Sequence, residues 1–290
     1  MNKQTSMTTV DFNRLGAYRA KTYRLLPGQQ LKSPEEAVAF TNERGFILFW
    51  PANGVELPSL WTAVAGNRPV ADEHDDPGHQ TWGWKDSLLD KRVWYYAKML
   101  RKKATMIALE VAPYFYALSE NYGSPEEDYL TLYKQGRLTV ESKMLFEALL
   151  LKGPLHTIAL RKEARLTSRD SESRFNKALT DLQANFQVLP VGIADAGAWH
   201  YSYIYDLTFR FYPEIQEQAR FISERQARRK LVELYLNSIG AAQVRDINRL
   251  FGWTNPDSER ALSELEKAGA IQGGLEVEGH PGVWWGSNDL

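Results

Sequence analysis

The chain has 290 residues, 43% of them hydrophobic and 24% charged, with a formal net charge of −1. A chain this long buries a sizeable core in one to three domains, and its near-zero charge excludes nucleic-acid binding through overall charge; local basic patches would have to supply it. There is no cysteine, no apolar run of eighteen residues and no signal-like apolar start, so disulfides, thiolate metal sites and a membrane span are not expected, and a cytoplasmic address is. Residues 1–32 are polar and weakly periodic, and read as an arm with some helix. Ser33-Pro34-Glu35-Glu36 then opens a helix that Gly45 closes. The apolar run Phe46 to Trp50, held between Gly45 and Pro51, predicts a short buried strand. A helix is expected from Leu57 to Gly66, and a loop over the Pro-, Gly- and Asp-rich residues 67–84. Leu88, Leu89, Val93, Tyr96 and Leu100 predict one long amphipathic helix from Lys85 to Lys103, followed by a strand. Two short helices follow, the second starting at Ser124-Pro125-Glu126-Glu127.

After Gly136 one pattern occurs twice. Each copy runs helix, small-residue turn, short helix, turn, longer helix and hairpin, the order of a winged helix. Gly153-Pro154-Leu155 and Gly240-Ala241-Ala242 mark the same chain reversal in the two copies. The longer helices carry apolar residues at spacings of three and four: Phe175, Ala178, Leu179 and Leu182 in one, Ala261, Leu262 and Leu265 in the other. The expected fold is therefore α+β and mainly helical, built of tandem winged-helix units. The expected division is an arm and first winged-helix-like unit over residues 1–138, then winged helices over 139–215 and 216–290. A hairpin is predicted from Phe186 to Leu207.

Winged helices serve DNA and protein partners alike, and charge discriminates between them. In the middle copy Arg161, Lys162, Arg165, Arg169, Arg174 and Lys177 flank or occupy the second and third helices. Basic side chains there hold phosphates while the third helix enters the major groove. Arg245 and Arg249 are the counterparts in the last copy. Its third helix, however, carries Asp257, Glu259, Glu264 and Glu266, which reads as a solvated or packing face.

The stretches "GPLHTIALRK", "RFNKALTDLQ" and "YIYDLTFRFYP", in this order, resemble the AlkZ/YcaQ-like family of bacterial winged-helix DNA glycosylases. "RKLVELYLNSIGAAQVRDINRLFGW" is similar to their third winged helix, and the resemblance spans roughly residues 33–285. It implies a duplex DNA partner, damaged duplex included, and hydrolysis of N-glycosidic bonds of alkylated or crosslinked purines without metal or cofactor. It also sets the family's water-handling Gln-x-Gln or Gln-x-Asp pair against Leu48 and Trp50, neither of which can accept a proton. The family's C-terminal β-barrel has no matching segment here.

Other chemistry is sparse. His74, Asp75, Asp76 and His79 form the one dense group of catalytic residue types, and they read either as turn chemistry or as a general base near residue 75. His156 suits a capping or phosphate-facing place. Trp82, Trp84 and Lys85 suit either core packing or a base-stacking platform. With no Gly-rich phosphate loop and no zinc pair, neither a metal nor a nucleotide cofactor is expected. Three functions follow: a DNA-binding, repair-associated relative without excision; a regulatory or protein-interaction winged-helix protein; and a glycosylase using Asp75 or Asp76.

Overall fold

The computed structural model describes residues 9–68, 76–197 and 200–290. Contacts separate two units, residues 1–81 together with 224–290, and residues 82–223. The N-terminal segment holds β1 (Thr9–Val10), α1 (Phe12–Thr22), α2 (Pro34–Arg44), β2 (Phe46–Leu48) and α3 (Leu60–Ala65). Helix α2 begins as its sequence dictates: the Ser33 side chain accepts the Glu36 amide, and Pro34 sits in the first turn where no donor is missed. Gly45 ends it at φ 80°, a value that only glycine adopts without strain. The expected buried strand is present, with Phe46, Ile47, Leu48 and Phe49 all buried.

The next segment corrects two expectations. Helix α4 (Asp76–Leu88) occupies the second half of the predicted loop and ends where the long helix was predicted to continue. The long helix is instead a hairpin, β3 (Tyr95–Lys98) paired antiparallel with β4 (Ala104–Ile107), with Tyr95 opposite Ile107 and Lys98 opposite Ala104. Arg92, in the left-handed region at φ 53°, breaks the helical path. Trp94, Tyr95, Tyr96 and Ala97 are then all buried, so both faces of the strand are covered, which no single helical stripe allows. Proline 77 misled the loop reading because it is the second residue of α4, where a helix tolerates it.

Helices α5 (Ala112–Ala117) and α6 (Pro125–Lys134) lead into the middle copy. It comprises α7 (Val140–Lys152), β5 (Leu155–His156), α8 (Thr157–Glu163), α9 (Glu172–Ala184), β6 (Val188–Ala194) and β7 (Ser202–Leu207), followed by α10 (Thr208–Phe211) and α11 (Pro213–Ala219). The three strands form one sheet in the order β5-β7-β6, and the predicted hairpin is the antiparallel pair β6–β7. Phe175, Ala178, Leu179 and Leu182 turn one side of α9 onto Leu145, Phe146 and Leu149 of α7. Each fully buried large side chain there contributes roughly 1.5–3 kcal/mol.

The last copy repeats that order with α12 (Glu224–Ile239), β8 (Ala241–Ala242), α13 (Val244–Phe251), α14 (Asn255–Lys267), β9 (Ile271–Val277) and β10 (His280–Ser287). Its strands run β8-β10-β9, the same topology, with β1 added in parallel on the outer edge of β9. Both copies are winged-helix arrangements of helix-turn-helix and hairpin. Helix α1 also closes the end of α12. Tyr18 Oη donates to the Asn237 carbonyl at 2.9 Å, Thr22 Oγ1 to Ser238 at 2.7 Å and Arg19 Nε to Ile239 at 2.9 Å. These are carbonyls that the helix itself leaves without a partner.

Candidate nucleic-acid interface

The middle helix-turn-helix is organised by the turn between α8 and α9. Arg161, a predicted phosphate ligand, is half-buried and serves this turn. Its Nε donates to the Leu166 carbonyl at 3.0 Å and its Nη2 to Ser168 at 3.3 Å, with the guanidinium 5.4 Å from the centre of the Phe175 ring. Lys162, Arg165 and Arg169 surround the same turn and are exposed. Arg174 and Lys177, three residues apart on α9 and so on one side of it, are exposed too. Each leans on an acid: Arg174 Nη1 on Glu141 at 3.0 Å, Lys177 Nζ on Asp181 at 2.6 Å. His156 is the N-cap residue of α8, yet its side chain makes no cap bond.

In the last copy Arg245 and Arg249 are exposed on α13. Two of the four acids of α14 face basic groups of α12: Arg225 Nε lies 2.7 Å from Glu264, and Arg228 Nε 4.0 Å from Asp257, while Glu259 and Glu266 are exposed. The third helix here is a packing partner of the first.

One cluster that the sequence only hinted at lies in the unit formed by residues 82–223. Lys85 of α4 is fully buried, ion-paired with Asp86 and hydrogen-bonded to the Tyr203 hydroxyl. Its ammonium stands 4.5 Å from the ring centres of Trp82 and Tyr203. Trp82 Nε1 donates to Tyr201 Oη at 3.0 Å, and that hydroxyl donates to Asp86 at 3.1 Å. Burial pulls the Lys85 amine down to about 8, against the opposing pull of Asp86. Trp82 keeps 38% of its surface exposed, while Lys85 is enclosed; the group ties α4 to strand β7.

His74 and Asp75 lie outside the described residues, and Asp76 enters only as the first residue of α4. Among the described residues no group of three or more His, Asp or Glu is placed to hold a metal ion, and no helix is long and apolar enough to cross a membrane.

The winged-helix order and the middle copy's charge invite comparison with known families. A family model described as AlkZ related matches residues 31–252. The chain belongs to the AlkZ-related family. No curated protein matches it. Among solved structures, the Streptomyces sahachiroi DNA glycosylase AlkZ is similar, with a TM-score of 0.60 and 11% identity, over 97% of this chain and 71% of that one. At that identity the likeness is one of fold. Within this AlkZ-related chain, Leu48 is completely buried and its amide donates to the Pro58 carbonyl at 2.9 Å. Trp50 is half-buried, its ring 6.1 Å from that of Trp61. No polar side chain comes from Phe46 to Phe49.

Proposed function

We propose that this chain is a repair-associated binder of duplex DNA, engaging it through the middle winged helix, and that it does not excise bases. One observation carries the binding half. A complete helix-turn-helix with its wing presents Arg174 and Lys177 on the third helix and Lys162, Arg165 and Arg169 beside its start, all exposed. Arg245 and Arg249 add a second, weaker contact. The non-enzymatic half is supported by the run Phe46 to Trp50, whose side chains offer no acceptor or base to deprotonate water beside a cationic sugar.

The test is duplex binding by fluorescence anisotropy across a salt series. Arg174→Glu with Lys177→Glu is expected to weaken binding about tenfold at 0.1 M salt and to lower the salt slope by about one to two, since the slope counts phosphates neutralised. Unchanged affinity would remove α9 from the interface. In parallel, incubation with alkylated duplex is expected to release no purine. Metal-independent release that Asp75→Asn or Asp76→Asn abolishes, with binding intact, would replace this reading by that of an active glycosylase.

A further inference from the structure

The turn that joins β3 to β4 is a second cationic element, and nothing above assigns it a role. It carries Arg101, Lys102 and Lys103, all exposed. Arg101 and Lys102 both occupy the left-handed region, at φ 52° and 57°. Glycine takes that conformation freely and is the expected occupant of two such positions in succession. Here the positions are filled by a guanidinium and an ammonium, and backbone strain is accepted to place them.

The turn is also held rigidly. Thr105, fully buried, accepts the Leu100 amide at 3.2 Å and donates to the Lys103 carbonyl at 2.8 Å. The Lys98 amide donates to the side chain of Gln183, a buried residue of α9, at 3.1 Å. This anchor sets the turn against the third helix of the middle copy. There Lys102 Nζ and Lys177 Nζ share one carboxylate, that of Asp181, at 2.5 and 2.6 Å. Partial burial pushes the Asp181 carboxyl up, but the two ammoniums outweigh it and hold it below its ordinary value. One acid thus ties together cations from two elements, and Arg101 and Lys103 flank Lys102 in the chain.

We infer that the Arg101–Lys103 turn is a phosphate-contacting wing, which grips the DNA backbone beside α9. This rests on the DNA-binding reading of α9. A duplex fits the surface better than an acidic protein does, because the cations flank the helix that enters the groove and are set on fixed backbone. Phosphates are spaced regularly along such a groove.

The experiment uses the full chain and a duplex of mixed sequence, titrated from 50 to 200 mM salt. In Arg101→Gly/Lys102→Gly the left-handed backbone is relieved, so the fold is retained and the melting temperature is unchanged or higher. Affinity at 100 mM salt should nevertheless fall about tenfold and the salt slope by about two. Arg101→Lys/Lys102→Arg keeps charge and strain, and should bind within about twofold of the parent. If the parent binds duplex and the glycine variant matches it in affinity and slope, the turn is not a contact, while the reading of α9 stands. A charge-preserving variant as weak as the glycine one would overturn the electrostatic basis. A parent that fails to bind duplex at 50 mM salt would overturn both the inference and the DNA-binding reading. Loss of binding to a polyglutamate peptide with duplex affinity intact would assign the turn to an acidic protein instead.

Discussion

The middle and the last winged helices have one topology and opposite surfaces. In each the first strand lies beside the third, and the third beside the second. The third residue of α9 is Arg174, paired with Glu141 of α7; the third residue of α14 is Asp257, facing Arg228 of α12. The acid and the base have changed sides. The wings differ as well. In the last copy β1 covers the outer edge of β9 and the Phe12 ring stacks on His280, 4.8 Å between centres. In the middle copy β7 is held by Lys85 and its tyrosines. Apolar spacing therefore preserves the architecture, while the sign of the charges on the third helix is free to differ between the copies.

The comparison is tested most severely at the shared chain reversal. Gly240 has φ 85°, and a Cβ there would stand 2.7 Å from Leu15 Cδ1 and 3.0 Å from the Tyr18 ring. Gly240→Ala is expected to cost about 2–4 kcal/mol in denaturant unfolding, from strain and overpacking together. Duplex affinity of the folded fraction should stay within about twofold, because the proposed contacts lie chiefly in the middle copy. A large loss of affinity at unchanged stability would contradict that assignment.

The second test sharpens the difference between the anchors. The folded Lys85 amine sits at about 8, below its ordinary 10.5. Between those values the unfolded chain holds the extra proton, so Lys85 makes stability rise with pH across that window. Relative to Lys85→Met, the parent should gain about 1.5 kcal/mol between pH 8 and 9.5. A gap that is flat with pH would mean that the amine is not held as described. The apolar β1 anchor of the last copy has no counterpart to this effect.

The smallest effect is expected from Arg245→Glu with Arg249→Glu. Salt-series anisotropy should show a loss of about twofold to threefold, well under that of the α9 pair. An equal loss would erase the functional contrast between the two copies.

Much of this was legible from residues alone. The Ser33 cap, the Gly45 stop, the buried Phe46–Leu48 strand and the β6–β7 hairpin rest on local rules, and local rules placed them. The run from Lys85 to Lys103 defeated the same rules. Leu88, Leu89, Val93, Tyr96 and Leu100 satisfy a helical spacing, but burial of Trp94 to Ala97 on both strand faces outweighs it. The site was legible as a count of charges and not as an arrangement. Arg161 looks like its neighbours in sequence, yet the carbonyls of Leu166 and Ser168 claim it. Lys85 gives no sign of burial because Tyr201, one of its partners, is 116 residues later. The Arg101–Lys103 turn was hidden inside a helix that does not form.

The closure of α12 by α1 bears on the order in which the molecule is made. Tyr18, Arg19 and Thr22 meet carbonyls 219, 220 and 216 residues further on. A ribosome adding about 5–20 residues per second leaves the N-terminal segment waiting for on the order of ten seconds or more before α12 exists. Residues 82–223 have by then been synthesised as a continuous stretch and are free to fold. The polar character of residues 1–32 is suited to that interval, because a segment that exposes little apolar surface can remain unpaired without aggregating.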